Sequence, residues 1–215
     1  MVNAVVFDFD YTLADSSAGI LRCIHYALQQ MGLPLALESR MRESIGLNLA
    51  KTLTFLTGNE DIDAGAEFTR LFVEHADRIM ADHTVLYDTT PQVIATLRAA
   101  GLPLGIVSTK YRYRIEGILR REALFQHFDV IVGGEDVTDH KPHPVSLQQA
   151  LRRLNCPPAQ AVYIGDHTVD AEAAGRAGVP FVAVLTGTTE RHHFDTAQCL
   201  GILDNLLTLP SLLGH

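Results

Sequence analysis

The chain has 215 residues, 47% of them hydrophobic, with 17 basic and 25 acidic side chains and a net charge of −8. That length suits one large domain, or one domain carrying an insertion, with enough apolar residues for a full core. The negative balance argues against a nucleic-acid-binding surface, which needs a basic stripe, and no apolar run reaches the roughly 18 residues of a membrane span.

The first segment, Val2–Phe7, is apolar and rich in β-branched residues, interrupted only by Asn3. With no basic region before it, it reads as a strand and not as a signal peptide. It ends in Asp8 and Asp10, spaced i, i+2. An unpaired carboxylate is costly to bury, so both acids must leave the strand at its C-terminal end. In an open parallel sheet that end is where ligands bind.

From about Ser16 to about Tyr87 there is helix signal and no convincing strand. Ile20, Ile24, Ala27 and Leu28 share one helix face, and Phe68, Leu71, Phe72, His75 and Ile79 share another. Gly32-Leu33-Pro34 and Thr57-Gly58-Asn59 punctuate the stretch. The expected organisation is an α/β core formed by residues 1–15 and 88–215, with residues 16–87 inserted as an all-helical cap. The crossings near Ser16–Ser17 and Tyr87–Pro91 would act as hinges, and a cap hung just past the acidic strand end would overhang it as a lid.

After the cap, short strands are predicted at Leu104–Ser108, Phe128–Val132, Ala161–Ile164 and Phe181–Val184, each apolar on both faces. Helices are predicted at Gln92–Ala100, Tyr113–Arg121, Val145–Leu154 and Val169–Ala177, with Gly101 and Gly178 as stops. This alternation predicts a doubly wound parallel α/β sheet. Cys23, Cys156 and Cys199 lie far apart without CxxC spacing, so neither a disulfide framework nor a zinc site follows, and a cytoplasmic location is expected.

Three more strand ends carry reactive residues. Ser108-Thr109-Lys110 puts hydroxyls and backbone N–H groups at a helix start, an anion cradle. Lys141, in His140-Lys141-Pro142-His143-Pro144, supplies a compact cation suited to phosphate. Gly165 permits a tight turn before Asp166, which repeats the logic of Asp8, and Asp170 lies one turn into the next helix. Four acids, a hydroxyl pair and a lysine at one sheet edge belong together only with a metal and an anionic substrate. Mg²⁺ prefers carboxylate and water oxygens and leaves positions for a substrate oxygen. The chemistry is that of phosphoryl transfer.

The bland readings are local. Ser108 and Thr109 alone would be helix caps, and Asp170 alone a first-turn acid favoured by the helix dipole. Tyr111-Arg112-Tyr113-Arg114 reads as a solvated helix start, Asp61 and Asp63 as solvated acids before a helix, and His192-His193 as a surface pair. His167 reads as a rim residue.

Four motifs, Asp8-Phe9-Asp10-Tyr11-Thr12, Ser108-Thr109-Lys110, Lys141-Pro142-His143-Pro144 and Gly165-Asp166 with Asp170, appear in this order across the whole core. In this the sequence closely resembles the haloacid dehalogenase superfamily, specifically its phosphatases with a helical (C1) cap after the first strand. Ile45-Gly46-Leu47-Asn48-Leu49 is similar to a cap stretch of the phosphoglycolate phosphatase-like subgroup.

The resemblance implies roles. Asp8 would be the nucleophile that forms an aspartyl-phosphate. Asp10 would be the general acid to the leaving alkoxide, then the base that activates water. Asp8, the backbone carbonyl of Asp10 and Asp166 would ligate Mg²⁺, and Asp170 would support the metal's water shell or Lys141. Thr12, Ser108, the Thr109 N–H and Lys141 would hold phosphoryl oxygens. The implied substrate is a small phosphate ester, with no nucleic-acid or membrane partner, and the chain would be a monomer or homodimer.

Two departures stand out. Tyr11 occupies a position where the family usually has glycine, so it must adopt an allowed backbone geometry; its ring and hydroxyl are expected near the mouth of the site, narrowing the substrate range. Asn48 stands where the subgroup commonly has proline. Arg42, Asn48 and Lys51 are the cap residues expected to meet a leaving group.

Dehalogenases lack the second acid and phosphonate-cleaving relatives replace it with a small residue, so Asp10 disfavours both. A sugar-phosphate mutase keeps both acids but usually has a cationic cap loop, for which only Arg42 and Lys51 are available. A non-catalytic phospho-accepting switch, like bacterial receiver domains, would use similar residues in a different order, at about half this length and without a cap.

Overall fold

A computed structural model describes residues 2–194 and 199–215. The central sheet has six parallel strands: β1 (Ala4–Phe7), β4 (Leu104–Val107), β5 (Val130–Val132), β6 (Ala161–Gly165), β7 (Phe181–Val184) and β8 (Cys199–Leu203). Their order across the sheet is β5-β4-β1-β6-β7-β8. The chain leaves β1 toward β4 on one side and later returns to place β6 on the other. The C-terminal end of β1 is therefore the topological switch point, the place in a doubly wound sheet where neighbouring connections diverge and open a crevice.

Side-chain alternation explains why both faces are dry. Val5 and Phe7 point into one core, with Leu104, Ile106, Ile131 and Ile164, under α5 (Thr89–Ala99) and α6 (Arg112–Arg121). Ala4 and Val6 point the other way, with Val107, Val130, Val132 and Tyr163, under α7 (Val145–Arg153) and α8 (Thr168–Ala177). β1, β4, β5, β6 and β7 are buried at every position because both faces of the sheet are covered there. A short α9 (Leu209–Leu212) packs on the α5 side.

Between β1 and α5 lies a helical segment: α1 (Ser17–Gln30), α2 (Glu38–Glu43), α3 (Leu49–Thr57) and α4 (Ile62–Ile79). It has its own apolar cluster, centred on Ile24, Leu28, Leu53, Phe68 and Met80. Two of its helices start on side-chain caps that accept backbone N–H groups: Asn48 from Lys51 at 2.9 Å and Asp61 from Ala64 at 2.8 Å. Asp61 is thus a cap and not merely a solvated acid. Where the chain leaves and re-enters the core, β2 (Ala14–Asp15) pairs antiparallel with β3 (Val85–Leu86). This ribbon ties the two crossings together; strands of two residues leave no periodicity to read.

The strand expectations shift by a residue or two. Val2 and Asn3 precede β1, Ser108 follows β4, Phe128 precedes β5, and β6 runs one residue further to Gly165. The edge strand β8 was absent from the expectations. It is only half-buried, with Leu200 exposed and Gly201 at its centre, so it lacks the continuous apolar run of the inner strands. Cys23 and Cys156 are free thiols, and no helix among the described residues is long and apolar enough to cross a membrane.

Candidate active site

Asp8 follows β1 directly, and its backbone N–H donates to the Ile164 carbonyl at 2.8 Å, so the strand ladder itself fixes its position. The chain then turns sharply. The Phe9 carbonyl accepts from the N–H groups of Leu13 and Ala14, at 2.9 and 3.1 Å. Asp10 is held at the rim of this turn. Across the crevice, Gly165 ends β6 and is followed by Asp166, and Asp170 lies in the first turn of α8.

Asp8, Asp10, Asp166 and Asp170 are all buried, as are Lys110 and Lys141. Carboxylate oxygens of Asp8, Asp166 and Asp170 lie within 4.8 Å of one another. Lys141 Nζ sits 2.5 Å from Asp170 Oδ1 and 3.1 Å from Asp8 Oδ1, and donates to the Tyr163 hydroxyl at 3.1 Å. That hydroxyl donates to the Val107 carbonyl at 3.0 Å. Asp170 is fully engaged: Oδ1 meets Lys141 and Tyr163, and Oδ2 accepts the His167 N–H at 3.1 Å. Asp8 Oδ1 differs. It is close to Lys141 Nζ, yet no donor reaches it with hydrogen-bond geometry.

Burial and the neighbouring charges together shift these groups. Burial pushes the Asp8 carboxyl up to about 7; Lys141 opposes this, and the neighbouring Asp170 and Asp10 reinforce it. Asp166 is also held well above its ordinary range, by burial first and then by Asp170 and Asp8. Burial alone would favour a neutral Lys141, but Asp170 and Asp8 outweigh it and keep the amine charged above its usual range.

Two glycines are needed for close approach. A Cβ on Gly165 would lie 2.6 Å from the Asp170 carboxylate, and one on Gly187 would lie 2.0 Å from Asp166 Oδ2. Gly187 follows β7 and was not singled out from sequence, where it looks like an ordinary loop glycine.

The remaining expected residues divide into two groups. Thr12 is brought in: its hydroxyl donates to Asp166 Oδ1 at 3.3 Å. Ser108 is buried at the end of β4, its Oγ accepting the Lys110 N–H at 3.3 Å. Thr109 is adjacent, but its hydroxyl donates to the Gly46 carbonyl in the helical segment, at 3.3 Å. Its side chain therefore ties the two parts together. Lys110 closes the Ser108-Thr109-Lys110 motif. Its Nζ lies 3.0 and 3.3 Å from the two oxygens of Asp10.

Tyr11, Arg42 and Asn48, expected to select substrate, are placed away from the cavity above Asp10. The Tyr11 ring is buried in the helical cluster and not at the mouth of the site. Its hydroxyl accepts from Arg42 at 3.4 Å, and Arg42 is paired with Glu38 at 2.8 Å. Asn48 caps α3 as described. None of the three lines the cavity above Asp10. Conversely, Arg114 is no solvated helix start. Its side chain is 8% exposed and lies 2.7 Å from Asp77 of α4, with a further bond to the Val73 carbonyl at 3.0 Å. His167 is a cap as well as a rim residue, its Nδ1 accepting the Val169 N–H at 3.2 Å. His192 and His193 are exposed.

Tyr11 has φ 59°, the left-handed region that favours glycine. Thr186 Oγ1 donates to its carbonyl and holds it there. Relief of this strain in Tyr11→Gly would regain about 1–2 kcal/mol, but loss of the buried ring would cost about 3–5 kcal/mol. Packing wins, so the variant is expected to be about 2 kcal/mol less stable in denaturant unfolding. Equal stability would show that the ring contributes no net packing.

With the geometry in place, comparison with known proteins gives a consistent picture. The family model described as haloacid dehalogenase-like hydrolase matches residues 5–184. The phosphoglycolate phosphatase of Escherichia coli (strain K12) is 29% identical over 234 residues, covering 99% of this chain and 93% of that protein. That of Salmonella typhimurium is 31% identical, covering 86% of this chain and 82% of that protein. A crystal structure from Bacteroides fragilis, assigned to the haloacid dehalogenase-like hydrolases, superposes with a TM-score of 0.95 at 39% identity, covering 97% of this chain and 100% of that one. The order in which the chain delivers its acids and lysines to one crevice, and these likenesses over nearly its whole length, have a single reading: it belongs to the haloacid dehalogenase-like hydrolases and is a phosphatase of that family.

Proposed function

We propose that this phosphatase hydrolyses a small phosphomonoester with the help of Mg²⁺, through a phosphorylated Asp8. One observation carries the reading. Four acids and two lysines are buried together, so the fully ionised site has a formal charge of −2 that one divalent cation balances. The donor set fits Mg²⁺, a hard ion that takes oxygen ligands. Asp8 offers an oxygen that no hydrogen-bond donor reaches, and Asp166 and the Asp10 backbone carbonyl complete the expected set. Asp170 has both oxygens engaged by Lys141, Tyr163 and His167, which supports a role in holding Lys141 rather than as a ligand. When bound, the ion would neutralise charge on the transferring phosphoryl group.

The chain's own residues do the rest. A carboxylate oxygen of Asp8 attacks phosphorus as the bond to the leaving oxygen breaks. Asp10 gives that oxygen its proton, so the product leaves as an alcohol. Water then attacks phosphorus, Asp10 takes the proton, and Asp8 is released with inorganic phosphate. Lys141, the Ser108 hydroxyl and the Thr109 N–H are suited to hold the phosphoryl oxygens, and Thr12 to hold Asp166. Most of the rate comes from positioning and charge. Lys110 restrains Asp10 at the rim. Residues 16–87 form the lid in this reading, and the setting is cytoplasmic.

Phosphate release from an aryl phosphate, with and without chelator, tests the proposal: release is expected only without it. Chelator-insensitive release would remove the metal from the account. A sugar-phosphate mutase is less well supported, because Arg42 and Lys51 do not line the cavity. Phosphorus NMR of the products is expected to show free phosphate; an isomerised ester without it would favour the mutase. A phospho-accepting switch would instead hold its adduct for minutes without turnover.

Mg²⁺ is also expected to raise the unfolding temperature more at pH 8 than at pH 5. Between the ordinary value of 3.8 and about 7, the folded protein keeps a proton on Asp8 that the unfolded chain has lost. The contribution of this group to metal-free stability therefore falls as pH rises through that window. The ion must displace that proton at pH 5 and need not at pH 8. A gain at pH 5 that equals or exceeds the gain at pH 8 would contradict the assignment.

A further inference from the structure

A cavity of about 60 Å³ opens beside the site, and Asp10, not Asp8, lines it. Asp10 is the group that protonates the departing oxygen in the proposed reaction, so this cavity receives the leaving group. By the volume one water needs, it holds about four to six water-sized groups.

The walls are apolar. Ile20, Ile24, Leu47, Leu49, Phe72 and Met80 line the space. The hydroxyls of Ser44, Thr52 and Thr109 are already committed to backbone carbonyls, and of the lining hydroxyls that of Tyr111 alone has no such bond among the described residues. Ser44 donates to the Met41 carbonyl at 2.7 Å, Thr52 to the Asn48 carbonyl at 3.2 Å and Thr109 to the Gly46 carbonyl at 3.3 Å. The two cations are neutralised. Lys110 is paired with Asp10, and Arg114 is fixed by Asp77 and the Val73 carbonyl, with its guanidinium 5.1 and 5.2 Å from the rings of Tyr111 and Tyr113. An anionic leaving group would enter a space with apolar walls, where each cation already has a carboxylate partner.

We infer that the enzyme selects phosphomonoesters whose leaving group is short, uncharged and aliphatic, and discriminates against those that carry a carboxylate or a second phosphate. The inference rests on the phosphatase reading and deepens it. It also separates this chain from the relatives named for phosphoglycolate, whose leaving group carries a carboxylate. A buried charge without a partner costs more than an unpaired neutral polar group, so the discrimination is at least about 100-fold.

The test compares isobutyl phosphate with 2-phosphoglycolate, which match in shape beyond the ester oxygen, using the full chain with Mg²⁺. Isobutyl phosphate is expected to have a kcat/KM at least about 100-fold higher. Equal or faster hydrolysis of 2-phosphoglycolate would overturn the inference and leave the phosphatase reading standing. The corresponding phosphonates, which cannot be hydrolysed, report binding alone. If neither ester is hydrolysed but the alkyl phosphonate binds more tightly, the reaction reading fails and the selectivity holds. If neither phosphonate binds better than the other, the selectivity fails. Leu47→Arg places a cation in a half-buried part of the wall. Provided the variant melts cooperatively, it is expected to move the ratio toward 2-phosphoglycolate by at least about 10-fold, as pairing the carboxylate should. An unchanged ratio would count against the lining as the selector.

Discussion

Asp8→Asn is expected to lower kcat by about 10⁴-fold or more, the scale on which enzymes lose a nucleophile, while the fold survives. The carboxamide keeps the size of the side chain and cannot be phosphorylated by ester chemistry. The companion measurement is stability. Burial and the acids around Asp8 raise its carboxyl to about 7, so at pH 8 its ionised form opposes folding in the absence of metal. Asparagine removes that charge, and Lys141 keeps Asp170 and Tyr163 as partners. The metal-free variant should therefore unfold at the same temperature as the wild type or higher, at pH 8. Loss of activity together with gross destabilisation would make Asp8 a structural residue and undo the assignment.

Lys141→Met should do the opposite to stability. Lys141 is the cation between Asp8 and Asp170, at 3.1 and 2.5 Å. Removing one partner of a buried ion pair leaves uncompensated charge and costs about 3–5 kcal/mol. For a chain of this length that is a fall of about 6–20 °C in Tm. Activity should drop by at least about 10²-fold, as when a group that stabilises transition-state charge is removed. The stability deficit should shrink at pH 5, where Asp8 holds a proton in the folded state. A double variant, Lys141→Met with Asp170→Leu, should recover part of the stability and none of the activity. Full stability in the single variant would mean that the lysine does not compensate the acids.

Much of the fold and the polar edge of the sheet could be read in the sequence, for identifiable reasons. β1, β4, β6 and β7 are buried on both faces, so their residues are uniformly apolar and each run stops where chemistry begins. Asp8, Ser108 and Asp166 sit at those stops, and the parallel order brings them together. What stayed hidden depends on distance in space. Nothing local shows that Lys110 reaches Asp10, a hundred residues away, or that Tyr163, inside an apolar strand, turns its hydroxyl to Lys141. Arg114 looks solvated in the pattern Tyr-Arg-Tyr-Arg because its partner, Asp77, lies in the helical segment. Tyr11 was placed at the mouth because its neighbours are catalytic in character. Its left-handed backbone turns the ring into the cluster of the helical segment instead. Half-buried β8 and the two-residue ribbon of β2 and β3 carry too little hydrophobic signal to register.

The proposed phosphorylation of Asp8 is open to direct chemical capture. Acid-quenched enzyme, taken during turnover of a good substrate and reduced with borohydride, should yield homoserine at position 8 in peptide mass spectrometry, because the reagent reduces an acyl phosphate and spares a free carboxylate. The signal should vanish when substrate is omitted. Homoserine at another aspartate, or an unmodified position 8 in enzyme shown to be turning over, would contradict the account.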